Sequence, residues 1–287
     1  MIILTVHLRQ IRRFSEVVGA SGIGSALTAT ARFALAKTPL KSKRPGALTF
    51  NSYRIFWTNR LAYAAPARPF ETVPVRPAEV DHRTNVSYSW GLGRVAGGDW
   101  DERGLEPVDD HPTFEGLRQR FERGRDWEDT AYVRAAQDRI RRGEAPYGCE
   151  TVAEFVDERC AYVDRLYADI EENGYRPRSE RGDRDGPGSS PHRLDPVVAI
   201  GRDGRILFAN SGKHRFAIAR MLDIEIPCNV AMRHERWQSV RDEVHDAPPT
   251  AELGRVRTHP DLRDVTDPVV ARDGSNENVG AGRAPNW

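Results

Sequence analysis

The chain has 287 residues, 39% hydrophobic and 30% charged, with 43 Lys/Arg against 42 Asp/Glu for a net charge of +1. With a mean hydropathy of -0.62 and no apolar run near the roughly 18 residues a membrane helix needs, a membrane-spanning protein is excluded. The apolar opening MIILTV stops at His7 and Arg9 without a small-residue cleavage site, which argues against a secretory leader. Cys149, Cys160 and Cys228 form no CxxC and too small a set for a disulfide framework, so a reducing cytoplasm is the expected compartment.

The charge is unevenly spread. Residues 1–66 hold ten Lys/Arg and one acid, Glu16, whereas the remainder carries 33 Lys/Arg against 41 acids. This predicts a basic amphipathic helical arm and linker over 1–66, attached to a mildly acidic domain. Within the arm, Leu4, Leu8, Ile11, Phe14 and Val18 recur at helical spacing, with Arg9, Arg12 and Arg13 largely off that stripe. After a Gly/Ser break, Ile23, Leu27, Ala31 and Leu35 mark a second helix, and Lys37 to Pro45 reads as a basic linker. An apolar face with arginines suits packing on the domain or on another subunit. It equally suits contact of residues 1–45 with an anionic membrane surface, and a non-specific nucleic-acid contact stays open.

The domain is expected over 67–245. A short strand lies near Val73–Arg76, where Pro74 and Pro77 make it brief or place it at an edge. Residues 83–111 are aromatic and Gly-rich, reading as short strands or ordered loop, with Asp99 and Asp101 in a turn. Three helices follow: one carrying Phe114, Leu117 and Phe121, one from Trp127 to Arg141, and one opened by the capping box Thr151-Val-Ala-Glu154 and stopped at Gly174. The segment 178–195 is Gly/Pro/Ser-rich and expected as a mobile loop, a last helix lies near Trp237–Val244, and 246–287 is expected to be a disordered tail.

The most informative stretch is VVAIGRDGRILFANSGKHRFAIARMLDIEIPCNV, residues 197–230. It reads as strand, Asp203-Gly204 turn, strand, glycine loop, helix and strand, with Pro227 at an edge or a strand beginning. Gly212, Lys213, His214 and Arg215 sit where the helix begins. A helix start offers free N–H groups and partial positive charge, and glycine lets an anion reach the backbone. Phosphate is therefore the expected ligand class. A solvated helix cap decorated by surface basic residues is the alternative. His234, in Arg233-His234-Glu235-Arg236-Trp237, follows a strand end and is a further binding candidate against a plain strand-to-helix connection.

The order strand, turn, strand, Gly-x-His-Arg, helix, Ile-Pro-x-x-Val resembles the ParB/sulfiredoxin-like family. The segment Leu166 to Pro177 is similar to the helix and loop that precede the hairpin in ParB-like domains, and Val73–Val80 looks like the family's opening strand. The resemblance covers roughly 70–245, with its core in 150–245 and large insertions at 83–150 and 178–195. It implies an α+β domain in which Gly212, His214 and Arg215 contact the phosphates of a nucleotide. A nucleotide triphosphate, ATP or CTP, with Mg²⁺ would then be the cofactor, and a nucleotide or phosphorylated small molecule the partner. Sulfiredoxins carry their catalytic cysteine between the Gly and the His; Lys213 stands there, which removes that chemistry. No helix-turn-helix pattern follows, which argues against sequence-specific DNA binding. A kinase branch of the family uses a glutamate soon after its first strand, and Glu79 is the candidate at that place. The resemblance thus leaves NTPase or small-molecule kinase activity open beside simple binding. A non-catalytic adaptor at a membrane surface or protein interface is the alternative function, and the oligomeric state is not fixed by these patterns.

Overall fold

The computed structural model describes residues 45–177, 180, 194–248 and 258–266. The helices expected within 2–35 and most of the 178–195 loop lie outside the described residues. The fold is mixed α/β, built on one mixed sheet. Its strands are β1 (Thr72–Val75), β2 (His82–Arg83), β3 (Arg94–Ala96), β4 (Glu106–Pro107), β5 (Val197–Ile200), β6 (Ile206–Ser211) and β7 (Ile226–His234). The order is β1-β7-β5-β6-β2-β4, with β3 beside the far end of β7. β5 runs antiparallel to β6 and parallel to β7, and β2 runs parallel to β6.

All four residues of β5 are buried, because both faces of the sheet are covered. Val198, Ile200 and Phe208 face the large core, while their neighbours Val197 and Ala209 join a smaller one. The large core receives α2 (Pro112–Phe121), α3 (Ala131–Arg141) and a continuous helical rod of α4 (Val152–Glu154), a π-helical stretch (Phe155–Cys160) and α5 (Ala161–Asn173). The capping box at Thr151 and Glu154 forms as its residues predict, and Gly174 ends the rod at φ 73°. α6 (Lys213–Met221) connects β6 to β7 and buries Phe216 and Ile218 against the same core.

The smaller core corrects the boundary of the arm. Residues 45–60 form α1 (Pro45–Arg60), whose Leu48 is buried against Leu92, Leu194 and Ala231. Asn51 and Ser52 are also buried, and Ser52 accepts from the Leu92 N–H at 3.0 Å. α1 therefore belongs to the domain. Its apolar residues lie on two opposed faces, Leu48 inward and Phe50, Tyr53 and Trp57 outward, so no single buried stripe marked the helix in the sequence.

The tail is corrected too. After α7 (Glu235–Asp246), residues 258–266 return as a 3-10 turn (Pro260–Leu262) and α8 (Arg263–Thr266). Asp261 and Leu262 are buried. Asp261 accepts from Arg233 Nε at 2.9 Å and Trp237 Nε1 at 2.9 Å, and Arg241 pairs with both Asp261 and Asp264. Composition concealed this staple because it rests on one carboxylate and one leucine rather than on a periodic apolar run. No described helix is long and apolar enough to cross a membrane.

Candidate functional site

The turn from β6 into α6 is shaped by backbone requirements. Asn210 takes φ 57° and Gly212 φ 78°. Asn tolerates this left-handed conformation, and its Nδ2 donates to the Thr84 carbonyl at 3.0 Å. At Gly212 a Cβ would lie 2.8 Å from the Pro196 Cα, so glycine is required by both conformation and contact. Gly212 itself is exposed, and Lys213 beside it is half-buried.

Around Lys213 the fold gathers cations from elements far apart in sequence. Burial lowers the Lys213 pKa, and the guanidinium groups of Arg83 and Arg139 lower it further. His111 caps α2 by accepting from the Thr113 N–H at 3.1 Å, and its pKa falls to about 4 through burial, Lys213 and Arg83. The start of α2 thus lies near the start of α6, and the contact of Phe114 with Phe216 fixes the pair. Glu106 pairs with Arg83, Glu144 pairs with Arg139 at 2.7 Å, and the exposed Asp110 acts on Arg83 from beyond ion-pair distance. Lys213 has no carboxylate within ion-pair distance among the described residues. The result is two helix starts, each carrying partial positive charge, beside one ammonium, Lys213, that makes no ion pair among the described residues.

His214 departs from its expected role. It is 7% exposed, and both ring nitrogens are used within the protein. Arg159 Nη2 lies 2.9 Å from Nδ1, and the Tyr132 hydroxyl lies 2.8 Å from Nε2. Arginine can only donate, so Nδ1 accepts and the proton sits on Nε2, which donates to Tyr132. Burial, with Arg159 and Lys213 close by, holds the His214 pKa well below its ordinary value, matching that neutral tautomer. Arg159 is 5% exposed and lies over the rings of Tyr147, at 4.0 Å, and Tyr162, at 4.8 Å. Tyr147 holds φ 58°, a costly conformation for a tyrosine. His214 is thus part of a buried network beneath the site rather than a group that reaches a ligand.

Arg215 is also 7% exposed, so it is not the exposed cap residue its position suggested. It lies near Tyr175, whose hydroxyl donates to Asp195 at 2.7 Å. Glu79 is not brought to the site. Its 3-10 turn (Pro77–Glu79) lies against the other end of α6, where Arg220 donates to the Pro77 carbonyl at 2.6 Å. That end is about 12 Å from Lys213 at 1.5 Å per residue. The Glu79 side chain is 77% exposed and 3.8 Å from Arg76. His234 is buried, caps α7 through its Nδ1 and reaches the Gly98 carbonyl at 2.9 Å through Nε2. It follows the Ile200↔Arg233 pair, at the opposite end of β5 from the Val197↔Ser211 pair that adjoins Gly212. Asp101 is fully buried and fixed by the Arg202 N–H at 2.7 Å, so the 99–101 turn is structural.

Of the predicted set, the fold keeps Gly212 and Lys213 at an open helix start and turns His214 and Arg215 inward. Arg83, His111 and Arg139 were missed. Each is an ordinary surface-type residue in its own segment, and only the sheet order and the packing of α2 and α3 unite them. Arg159 did leave a signal: a charge inside the apolar stripe of its helix. No protein-family model, curated protein or solved structure matches the chain.

Proposed function

We propose that the chain binds a nucleotide or another phosphate ester at the start of α6, and that it belongs to the ParB/sulfiredoxin-like proteins as an atypical member. One observation carries the binding reading: Lys213, half-buried and repelled by Arg83 and Arg139, has no carboxylate within ion-pair distance among the described residues. A desolvated cation beside other cations costs stability unless an anion joins it. A phosphoryl group would accept from the first N–H groups of α6, with Gly212 allowing close approach to the backbone. The Lys213 ammonium would meet its charge, and Arg83 and His111 would close the opposite side. The inward network of Arg159, His214 and Tyr132 would hold α6 in register and add positive potential from beneath.

Glu106 and Glu144 at this mouth are paired with arginines, and no group of three or more His, Cys, Asp or Glu side chains able to hold a metal occurs among the described residues, so the residues do not fit a resident Mg²⁺. Any Mg²⁺ would arrive with the phosphates. Glu79 stands too far away to activate an acceptor hydroxyl. Binding, rather than phosphoryl transfer, is therefore the activity that the side chains support.

A thermal-shift screen of the whole chain against ATP, CTP, GTP and inorganic pyrophosphate, with and without Mg²⁺, tests this reading. A ligand at 100 times its Kd adds about 2.7 kcal/mol to stability. A rise in melting temperature with at least one phosphate ligand is expected, and no rise with any of them contradicts the proposal.

A further inference from the structure

The large apolar side chains exposed among the described residues all lie on α1 or at its end: Phe50 at 54%, Tyr53 at 48%, Trp57 at 58% and Leu61 at 53%. At 100° per residue these four fall within a single narrow stripe opposite Leu48, Ser52 and Asn59, which face the domain. The same spacing puts Arg54 on one border of the stripe and Arg60 on the other. The Arg60 guanidinium lies 5.2 Å from the Trp57 ring, so charge and aromatic surface are presented together.

Charge selects the occupant. Residues 37–66 contain six Lys/Arg and no acid. The amphipathic segment 2–18 carries Arg9, Arg12 and Arg13 against Glu16 alone, and the segment 23–35 carries Arg32 and no acid, so docking either on this face would bring like charges together. A second copy would meet the same objection, Arg54 and Arg60 facing themselves. An anionic surface meets none. Tryptophan, tyrosine and phenylalanine on one face, bordered by arginine, suit the headgroup layer of a bilayer, where amphipathic rings lie half-immersed and arginines reach lipid phosphates.

We propose that α1 lays Phe50, Tyr53, Trp57 and Leu61 into the surface of an anionic phospholipid bilayer, with Arg54 and Arg60 on its headgroups. The sheet side of the domain stays in water. The inference does not depend on the phosphate reading, since α1 covers the smaller core and the α6 start lies with the larger one.

The test is sedimentation of the full chain with phosphatidylcholine vesicles, with or without roughly a third of phosphatidylserine. Wild type should partition onto the anionic vesicles only, and added salt should weaken it. The variant Phe50→Ser/Tyr53→Ser/Trp57→Ser should lose about tenfold or more in partitioning, with an unchanged melting curve because the three side chains are exposed. Arg54→Gln/Arg60→Gln should also weaken binding to the anionic vesicles. Three results overturn the proposal: no binding by wild type, equal binding to neutral vesicles, or wild-type binding by the folded aromatic variant. The last would assign any lipid affinity to residues 1–44. A variant that changes only the oligomeric state would assign the stripe to contact between copies.

Discussion

Two arginine-rich regions of this molecule look alike in composition and differ in balance. At the junction of β7 and α7, Arg233 and Arg241 are buried with Asp261, and Asp264 meets Arg241 at 2.6 Å. At the start of α6, Arg83 and Arg139 are paired with Glu106 and Glu144, His111 is neutral, and Lys213 is left without an ion pair among the described residues. The first region closes its own charge and staples residues 258–266 to the sheet. The second does not, and an external anion would complete it. Basic residues near a strand end or helix start therefore say little until their carboxylates are counted.

The comparison breaks first at Asp261. Asp261→Ala leaves Arg233 and Arg241 buried with less counter-charge, and a loss of about 3–5 kcal/mol in unfolding free energy is expected. Denaturant titration measures it. A loss no larger than that of a surface change would mean the staple contributes little.

Acid should act on the same region next. Burial alone would raise the Asp261 pKa, but Arg233 and Arg241 outweigh it and hold it at about 2. An unfolded aspartate titrates near 3.9. The pair thus contributes its stability above the unfolded value and loses it as pH falls toward 2, with about 2–3 kcal/mol at stake. Unfolding measured between pH 6 and 2 in wild type and Asp261→Asn should show a shallower acid slope in the variant. Parallel slopes would place the acid sensitivity elsewhere.

The smallest effect sharpens the second region. His111 is neutral at pH 7 because burial and its cationic neighbours hold it down to about 4. A bound phosphoryl group beside it favours the charged form and raises that value. Binding should then take up a fraction of a proton near pH 6, visible by calorimetry in buffers of different ionisation enthalpy, and should strengthen as pH falls from 7 to 6. Proton release on binding would point to a different contact set.

Much of the fold was legible from local rules. The capping box at Thr151, the Asp203-Gly204 turn and the β5–β6–α6–β7 order all follow from residues adjacent in sequence. Gly212 was legible as a glycine at a helix start, and its left-handed φ of 78° adds a conformational reason that the sequence did not state. The assignments that failed depend on what a side chain meets across the fold. His214 and Arg215 look exposed in a Gly-x-His-Arg turn, but α6 turns both inward: His214 meets Arg159 and Tyr132, 55 and 82 residues away, and Arg215 lies near Tyr175. Glu79 is close to the first strand in sequence, yet the chain carries it to the wrong end of α6. The staple at 258–266 and the helix at 45–60 were hidden for a related reason. Each buries a few side chains without a repeating apolar pattern on its buried side.

The most direct measurement is the melting temperature of wild type and Lys213→Met, each with and without inorganic pyrophosphate. An unneutralised, half-buried ammonium that serves a ligand makes two demands of opposite sign. Without ligand, Lys213→Met should be as stable as wild type or more stable by up to about 1 kcal/mol, since a repelled charge is gone. With pyrophosphate, wild type should rise and the variant should rise far less, reflecting about tenfold weaker binding through the loss of one charge-assisted contact. An equal pyrophosphate-induced rise in both proteins, or a variant clearly less stable without ligand, would contradict the account.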